Sequence, residues 1–139
     1  MRVNAAPVAA SSSSAPTAGR AVVAALFTGG TISMRVDERA GGAVPSLAAE
    51  EILAAARGID EVAEVRAEQW GRLPGPHMTV ARQWALRARI LELLDDPAVD
   101  GIVITHGTDT LEETAYLVAR SVESPKPIVF TGAMRSASD

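Results

Sequence analysis

The 139-residue sequence is 47% hydrophobic and 22% charged, which is typical of a globular protein with one domain of ordinary size. Its 17 acidic residues outnumber its 13 basic ones, and the net charge of -4 argues against nucleic acid or an anionic membrane surface as a partner. The absence of cysteine excludes disulfides, zinc–thiolate sites and a cysteine nucleophile.

The first segment, residues 1–20, is rich in Ala, Ser and Pro and contains a run of four serines at 11–14. Such a segment has little large apolar surface to offset the entropy of ordering, so it is predicted to be a disordered tail. Pro7 and Pro16 interrupt any apolar stretch that could act as a secretory signal. No later apolar run is long enough to cross a membrane, and the expected location is the cytoplasm.

From residue 21 onward the pattern alternates between strand and helix. An apolar run predicts a buried strand at 21–28, and a Gly-rich charged loop is expected from there to Pro45. Ser46 is a candidate N-cap for the helix that follows. The predicted elements after this loop are a helix at 47–57 and a second strand at 61–70.

The second half continues the alternation, beginning with Thr79 as another N-cap candidate. The helix predicted at 80–94 places four apolar residues on one stripe, which is expected to face the core. These residues are Val80, Trp84, Ala88 and Leu91, and Trp70 is likewise expected to pack in the interior. The remaining predicted elements are a strand at 101–105, a helix at 111–122 and a strand at 128–131.

The order βαβαβαβ predicts an α/β fold with a mostly parallel sheet flanked by helices. Residues 132–139 leave the last strand as a small polar loop, and no helix follows to cover the sheet beside it. Because parallel sheets are covered on both faces, the domain is predicted to be incomplete at its C-terminal end. The chain is therefore expected to be the front part of a longer polypeptide.

Polar, glycine-rich segments follow three of the predicted strands. They are residues 28–31 (TGGT), 105–110 (THGTDT) and 131–135 (TGAMR). Ligands of open α/β sheets bind outside the carboxyl ends of the strands, so all three segments are expected at one binding edge. Asp109 is their only carboxylate and suits an amino-acid ligand, since it can bind an ammonium group while N–H groups bind the carboxylate. Two threonines on facing loops could supply nucleophilic attack and a proton relay.

These motifs also allow plainer interpretations. The TGGT segment could be a structural turn or a phosphate cradle, although it is neither a dinucleotide-binding fingerprint nor a P-loop. Thr110 and Glu113 have the spacing of a capping box, which predicts that Thr110 caps a helix. His106 is expected to be a structural histidine with its hydrogen bonds satisfied. His77 has no partner at ligand spacing, so no metal site is expected.

Residues 28–32 (TGGTI) and 101–111 (GIVITHGTDTL) strongly resemble the two signature segments of the asparaginase/glutaminase family. Residues 112–116 (EETAY) and 131–135 (TGAMR) extend the similarity, which runs from about residue 21 to the end of the sequence. The resemblance implies that residues 21–139 form part of a Rossmann- or flavodoxin-like N-terminal α/β domain. It also implies that the C-terminal domain of the family is absent here.

The resemblance implies hydrolysis of L-asparagine to aspartate and ammonia through a covalent acyl-threonine intermediate. It makes Thr31 the nucleophile, Thr108 the second threonine, whose backbone N–H helps to bind the oxyanion, and Asp109 the residue that binds the substrate's α-ammonium group. Ala133 matches the position whose carbonyl receives the leaving amide nitrogen. Thr31, Thr108 and Asp109 are thus the expected catalytic residues, and Gly30, Gly75, Thr108, Asp109 and Ala133 the expected substrate-binding residues.

The resemblance implies no cofactor or metal, a small-molecule substrate and a homodimeric or homotetrameric full-length protein. The sequence departs from the family at several points. The family's catalytic lysine lies downstream of the TGAMR segment, where this chain ends, and Lys126 precedes the fourth strand and so belongs to the opposite end of the sheet. The loop after Thr31 lacks the tyrosine often found there. The stretch 75–78 (GPHM) also lacks the serine with which family members often bind the substrate carboxylate.

Because the lysine is missing, the isolated chain is expected to be inactive. Its last strand leaves sheet surface and a possible edge exposed, so the chain is also expected to be prone to aggregation. Two alternatives remain within enzymes: a glutaminase, or a subunit of an amidotransferase acting on Glu-tRNA. A third alternative, from a different class, is a catalytically dead ligand-binding fragment.

Overall fold

A four-stranded parallel sheet forms the centre of the fold in the computed structural model, which describes residues 19–39 and 41–136. In chain order the elements are β1 (Ala21–Gly29), β2 (Met34–Asp37), β3 (Gly42–Pro45), α1 (Ala49–Ala55), α2 (Ile59–Val62), β4 (Ala63–Leu73), α3 (Val80–Asp95), β5 (Gly101–Thr105), α4 (Leu111–Ser121) and β6 (Ile128–Thr131). The strand order is β4-β1-β5-β6, with every neighbouring pair parallel. The predicted α/β class is confirmed. Most of the predicted tail, residues 1–18, lies outside the described residues.

The main hydrophobic core lies between this sheet and the helices α3 and α4. Leu26 of β1 and Ile104 of β5 are fully buried there against Leu86 and Ile90 of α3. Val118 of α4 belongs to the same cluster, which agrees with the apolar character predicted for this helix. A smaller cluster on the opposite face joins β1 to α1 and is centred on Ala25, Phe27 and Ala49. In the described part of the chain, no helix has the length and apolar character needed to cross a membrane.

The prediction of which face of α3 is buried is wrong. Val80 is 65% exposed and Trp84 50% exposed, whereas Leu86 and Ile90 have no exposed surface. The Trp84 ring lies on the surface with the guanidinium carbon of Arg87 at 5.2 Å from its centroid. Apolar residues occur on two overlapping helical stripes of α3, and contact with the sheet selects the stripe that contains Leu86 and Ile90. Trp70, by contrast, packs against the main core as expected.

The segment predicted as a loop before α1 contains an antiparallel hairpin of β2 and β3. The following helix begins later than predicted, because Ala48 rather than Ser46 occupies the N-cap position. The Ala48 N–H donates to Glu51 Oε2 at 2.9 Å, while the Ser46 N–H donates to the Ser33 carbonyl and is held by the preceding turn. Thr79 is the N-cap of α3, as predicted, and its hydroxyl accepts from the Arg82 N–H.

Strand β4 extends three residues beyond its predicted end and reaches Leu73. It continues because β1 pairs with it through an irregularity that brings Gly29 opposite Leu73. The Gly30 N–H also donates to the Leu73 carbonyl at 2.9 Å. This extension carries the next turn, Gly75–His77, to the edge of the sheet where β1 and β5 end.

Candidate active site

The three polar segments found in the sequence lie at one edge of the sheet, as expected for the carboxyl ends of parallel strands. The His106 N–H donates to the Thr131 carbonyl at 2.8 Å, which continues the β5–β6 pairing into the loops. A Cβ at Gly132 would lie 2.8 Å from the His106 carbonyl oxygen and 3.0 Å from Thr108 Cγ2. The segments after β5 and β6 are therefore in direct contact.

Glycines allow the backbones of the other segments to approach equally closely. Gly30 has φ of 78°, and a Cβ there would lie 2.6 Å from the Gly107 Cα. A Cβ at Gly107 would in turn lie 2.5 Å from the Gly75 Cα. Neither position has room for a side chain, since real Cβ atoms do not approach backbone atoms so closely. The loops after β1, β4 and β5 therefore meet backbone to backbone.

Thr31 directly follows the Gly30 contact and is the first residue of the 3-10 turn Thr31–Ser33. It is half-buried at this edge. The turn is held by Ser33, whose backbone N–H and side-chain hydroxyl both donate to the Gly30 carbonyl, at 3.0 and 2.8 Å. Ser33 is buried and was not among the residues expected at the site, although serine, like glycine, is a common turn residue.

Thr108 and Asp109 are exposed in the turn that precedes α4. The carboxylate of Asp109 lies against Gly75, where a Cβ would be 2.5 Å from Asp109 Oδ2. The methyl group of Thr108 faces Gly132 in the segment after β6, and Ala133 follows there, half-buried. Close contacts thus connect Gly30, Gly75, Thr108 and Asp109 around one edge of the sheet, and Thr31 and Ala133 follow contacting glycines in the chain.

The capping-box prediction for Thr110 is wrong. Thr110 occupies the N-cap position of α4, but its side chain makes no capping hydrogen bond. Its hydroxyl donates instead to the Gly75 carbonyl at 2.9 Å, while its own carbonyl accepts from the Thr114 N–H and hydroxyl. Thr110 therefore connects the turn Gly75–His77 to the start of α4.

His106 is 1% exposed and lies edge-on to Phe130, with the ring centroids 6.2 Å apart. Its Nδ1 lies 2.9 Å from the Gly107 carbonyl oxygen, so a neutral ring with the proton on Nδ1 donates this bond. Nε2 is buried and has no hydrogen-bond partner within the described part of the chain. The expectation of a fully satisfied histidine is therefore wrong for this atom. Burial lowers the pKa of His106, although the Gly107 carbonyl and the charge of Glu113 act in the opposite direction.

Lys126 lies at the opposite end of the sheet, before β6, as the sequence indicated. Its Nζ donates to the carbonyls of Leu94 and Asp96 at 2.6 and 2.7 Å, at the C-terminal end of α3. This ammonium group therefore stabilises a helix end and does not reach the candidate site. Across residues 19–39 and 41–136, no group of three or more histidine and acidic side chains is arranged to hold a metal ion.

The chain is similar to several known proteins. The family model described as asparaginase, N-terminal, matches residues 22–139. The chain belongs to the asparaginase family. It is 39% identical over 133 residues to a glutaminase-asparaginase of Pseudomonas fluorescens biotype A, covering 93% of this chain and 37% of that protein. It is 36% identical over 115 residues to a glutamyl-tRNA(Gln) amidotransferase subunit of Methanosarcina barkeri, covering 83% of this chain and 27% of that protein.

Two solved asparaginase structures share the fold. A probable cytoplasmic L-asparaginase from Campylobacter jejuni superposes with a TM-score of 0.75 and 32% identity over 86% of this chain and 35% of that one. The thermostable L-asparaginase from Thermococcus kodakarensis gives a TM-score of 0.73 and 30% identity over 85% of this chain and 35% of that one. The chain thus spans little more than a third of the length of these two proteins.

Proposed function

We propose that this chain supplies the nucleophile side of an amidohydrolase site that converts L-asparagine and water to aspartate and ammonia. The observation that carries the proposal is the backbone contact of Gly30 with Gly107, because each glycine directly precedes a threonine of the two facing loops. Membership of the asparaginase family supports the reaction class.

In the proposed reaction, the Thr31 hydroxyl oxygen attacks the side-chain amide carbon of asparagine. The hydroxyl proton passes to a neighbouring base and then to the amide nitrogen, the C–N bond breaks, and ammonia leaves an ester on Thr31. Water hydrolyses that ester, which releases aspartate and restores the hydroxyl. The Thr108 backbone N–H stabilises the oxyanion of each tetrahedral intermediate.

The remaining roles concern binding and orientation of the substrate. The Asp109 carboxylate binds the α-ammonium group, and the Ala133 carbonyl accepts a hydrogen bond from the leaving nitrogen. Gly30 and Gly75 contribute backbone to the walls of the site. We assign the reaction to the cytoplasm and to a homo-oligomer, in line with the family and with the Campylobacter neighbour described as probably cytoplasmic.

The test is ammonia release from L-asparagine by the complete gene product and its Thr31→Ala variant. Loss of the nucleophile should reduce the rate by about a thousandfold or more and abolish the acyl-enzyme adduct seen by intact-protein mass spectrometry. Ser124→Ala removes a hydroxyl at the opposite end of the sheet, where it accepts from the Lys126 N–H, and should leave the rate unchanged. Undiminished turnover by Thr31→Ala would remove Thr31 from the mechanism.

Glutamine is the second candidate substrate, because the Pseudomonas relative is named for both activities. One additional methylene changes the discrimination by only about 1–3 kcal/mol, so both amides should be assayed side by side. The similarity to an amidotransferase subunit adds a third assay, transfer of amide nitrogen to Glu-tRNA. If kcat/KM is higher for glutamine than for asparagine, glutamine becomes the preferred substrate in this proposal. The proposed nucleophile stays the same.

A further inference from the structure

The hydrogen bond from Thr110 to Gly75 joins two segments that are 35 residues apart in sequence. The Gly75 carbonyl also accepts from the Met78 N–H at 3.1 Å, so both of its lone pairs are used. One bond closes the 3-10 turn Gly75–His77, and the other fastens that turn to the start of α4.

The turn Gly75–His77, held by Thr110, packs against the Asp109 carboxylate. The backbone of Gly75 approaches so closely that a Cβ would lie 2.5 Å from Asp109 Oδ2 and 3.1 Å from Asp109 Cβ. Asp109 is exposed on its other side and precedes Thr110 directly, so the position of the turn limits the rotamers that this carboxylate can adopt. Gly107 contacts the same glycine from the strand side.

We propose that Thr110 is a positioning residue for substrate capture: its hydroxyl holds the turn Gly75–His77 against Asp109 and thereby orients the carboxylate toward the substrate's α-ammonium group. The inference rests on the proposed function, which supplies the ammonium ligand. It assigns to Thr110 a role that acts through Asp109, without contact between the hydroxyl and the reacting atoms.

This role predicts an effect on binding with little effect on chemistry. Without the Thr110 hydroxyl, the turn has one fewer bond and the carboxylate samples more orientations, which weakens capture of the ammonium group. The Thr110→Val variant keeps the shape of the side chain and should raise KM for L-asparagine about five- to tenfold, with kcat within about twofold. Thr110→Ser restores a hydroxyl and should return KM to within about twofold of the parent value.

The matched control is Ser121→Ala. Ser121 also joins two elements through its hydroxyl, which accepts from Arg87 Nε at 2.8 Å and donates to the Leu117 carbonyl, at the far end of α4. Its loss should lower the melting temperature without changing KM. A KM change in Ser121→Ala equal to that in Thr110→Val would show that general destabilisation causes the effect, and would overturn the proposal.

A second measurement, amide hydrogen exchange, is independent of turnover. In Thr110→Val the amides of His77 and Met78, which donate within the turn, should exchange faster, and those of the α3 interior should not. Unchanged exchange at these two amides overturns the positioning role even if KM rises. These measurements use the complete gene product. Its failure to release ammonia from either amide overturns the proposed function instead, and with it the ammonium-capture role of Thr110.

Discussion

At the scale of single residues, the glycines determine how closely the loops of the candidate site approach one another. Gly30 combines a positive φ of 78° with a missing side chain that would otherwise collide with Gly107. Gly41 has a similar φ of 68°, but a Cβ there would meet no atom within 4 Å. A comparison of Gly30 with Gly41 therefore separates two costs of adding a side chain, the strained backbone conformation and the steric conflict.

We expect Gly30→Ala to lower the free energy of unfolding by about 3 kcal/mol or more, because strain and overpacking act together. Gly41→Ala should cost only about 1–2 kcal/mol, since the left-handed conformation is its only penalty. Urea denaturation of both variants beside the parent gives the comparison. Equal losses would mean that the two loops can separate at little cost, and the backbone contact would then not define the site.

His106 makes the stability of the fold dependent on pH. Its pKa lies below the ordinary 6.5 in the folded chain because the ring is buried, whereas the unfolded chain exposes it. Between the two pKa values the unfolded state binds more protons, so the contribution of His106 to the free energy of unfolding is fully present above about pH 6.5 and is lost as the pH falls toward the folded-state pKa. His106→Asn keeps an N–H donor near the position of Nδ1 and removes the titration.

Denaturation curves from pH 5 to 8 should therefore show a smaller acid loss for His106→Asn than for the parent protein. His77→Asn, which changes the exposed second histidine of the chain, is the control for replacing an imidazole by an amide. If His106→Asn and the parent lost stability in parallel, the acid sensitivity would have to come from other groups.

At the scale of elements, α3 shows why a helical pattern alone does not identify the buried face. Leu86 and Ile90 lie on the sheet, while Val80 and Trp84 face solvent, although both pairs have helical spacing. Leu86→Ala should destabilise by about 2–5 kcal/mol because it leaves a cavity in the main core. Trp84→Ala should cost about 1 kcal/mol or less, since the ring is half-exposed and stacks on Arg87 at the surface. Thermal unfolding of the two variants distinguishes the faces.

The same comparison shows which elements the sequence could predict. Strands β5 and β6 have the predicted bounds, 101–105 and 128–131, since continuous apolar runs between turn residues leave little freedom for strands of a parallel sheet. The β2–β3 hairpin was missed because its exposed residues, such as Val36, carry no alternating pattern. The sequence predicted which edge of the sheet carries the candidate site, because the polar segments directly follow the ends of the strands. It did not predict the hydrogen bond from Thr110 to Gly75, because that bond joins residues 35 positions apart.

At the scale of the whole molecule, the two faces of the sheet are covered unequally. Helices α3 and α4 bury the face that contains Leu26 and Ile104, whereas α1 covers only part of the other face, around Phe27. Val103 and Val129 are paired neighbours on that second face, and Val129 remains 50% exposed. Strand β6 is also an edge of the sheet, so it presents unpaired backbone groups beside an apolar surface.

This asymmetry predicts that the 139-residue chain, expressed alone, associates through the face and edge at β6. Val129→Asp places a charge on that face at a half-exposed position, so it should reduce light scattering and shift the chain toward monomer in size-exclusion chromatography. Val36→Asp is the matched control, because Val36 is also an exposed valine but belongs to the separate β2–β3 hairpin. An equal improvement from both variants would attribute solubility to added charge alone, whereas an effect confined to Val129 identifies the incompletely covered sheet as the surface that associates.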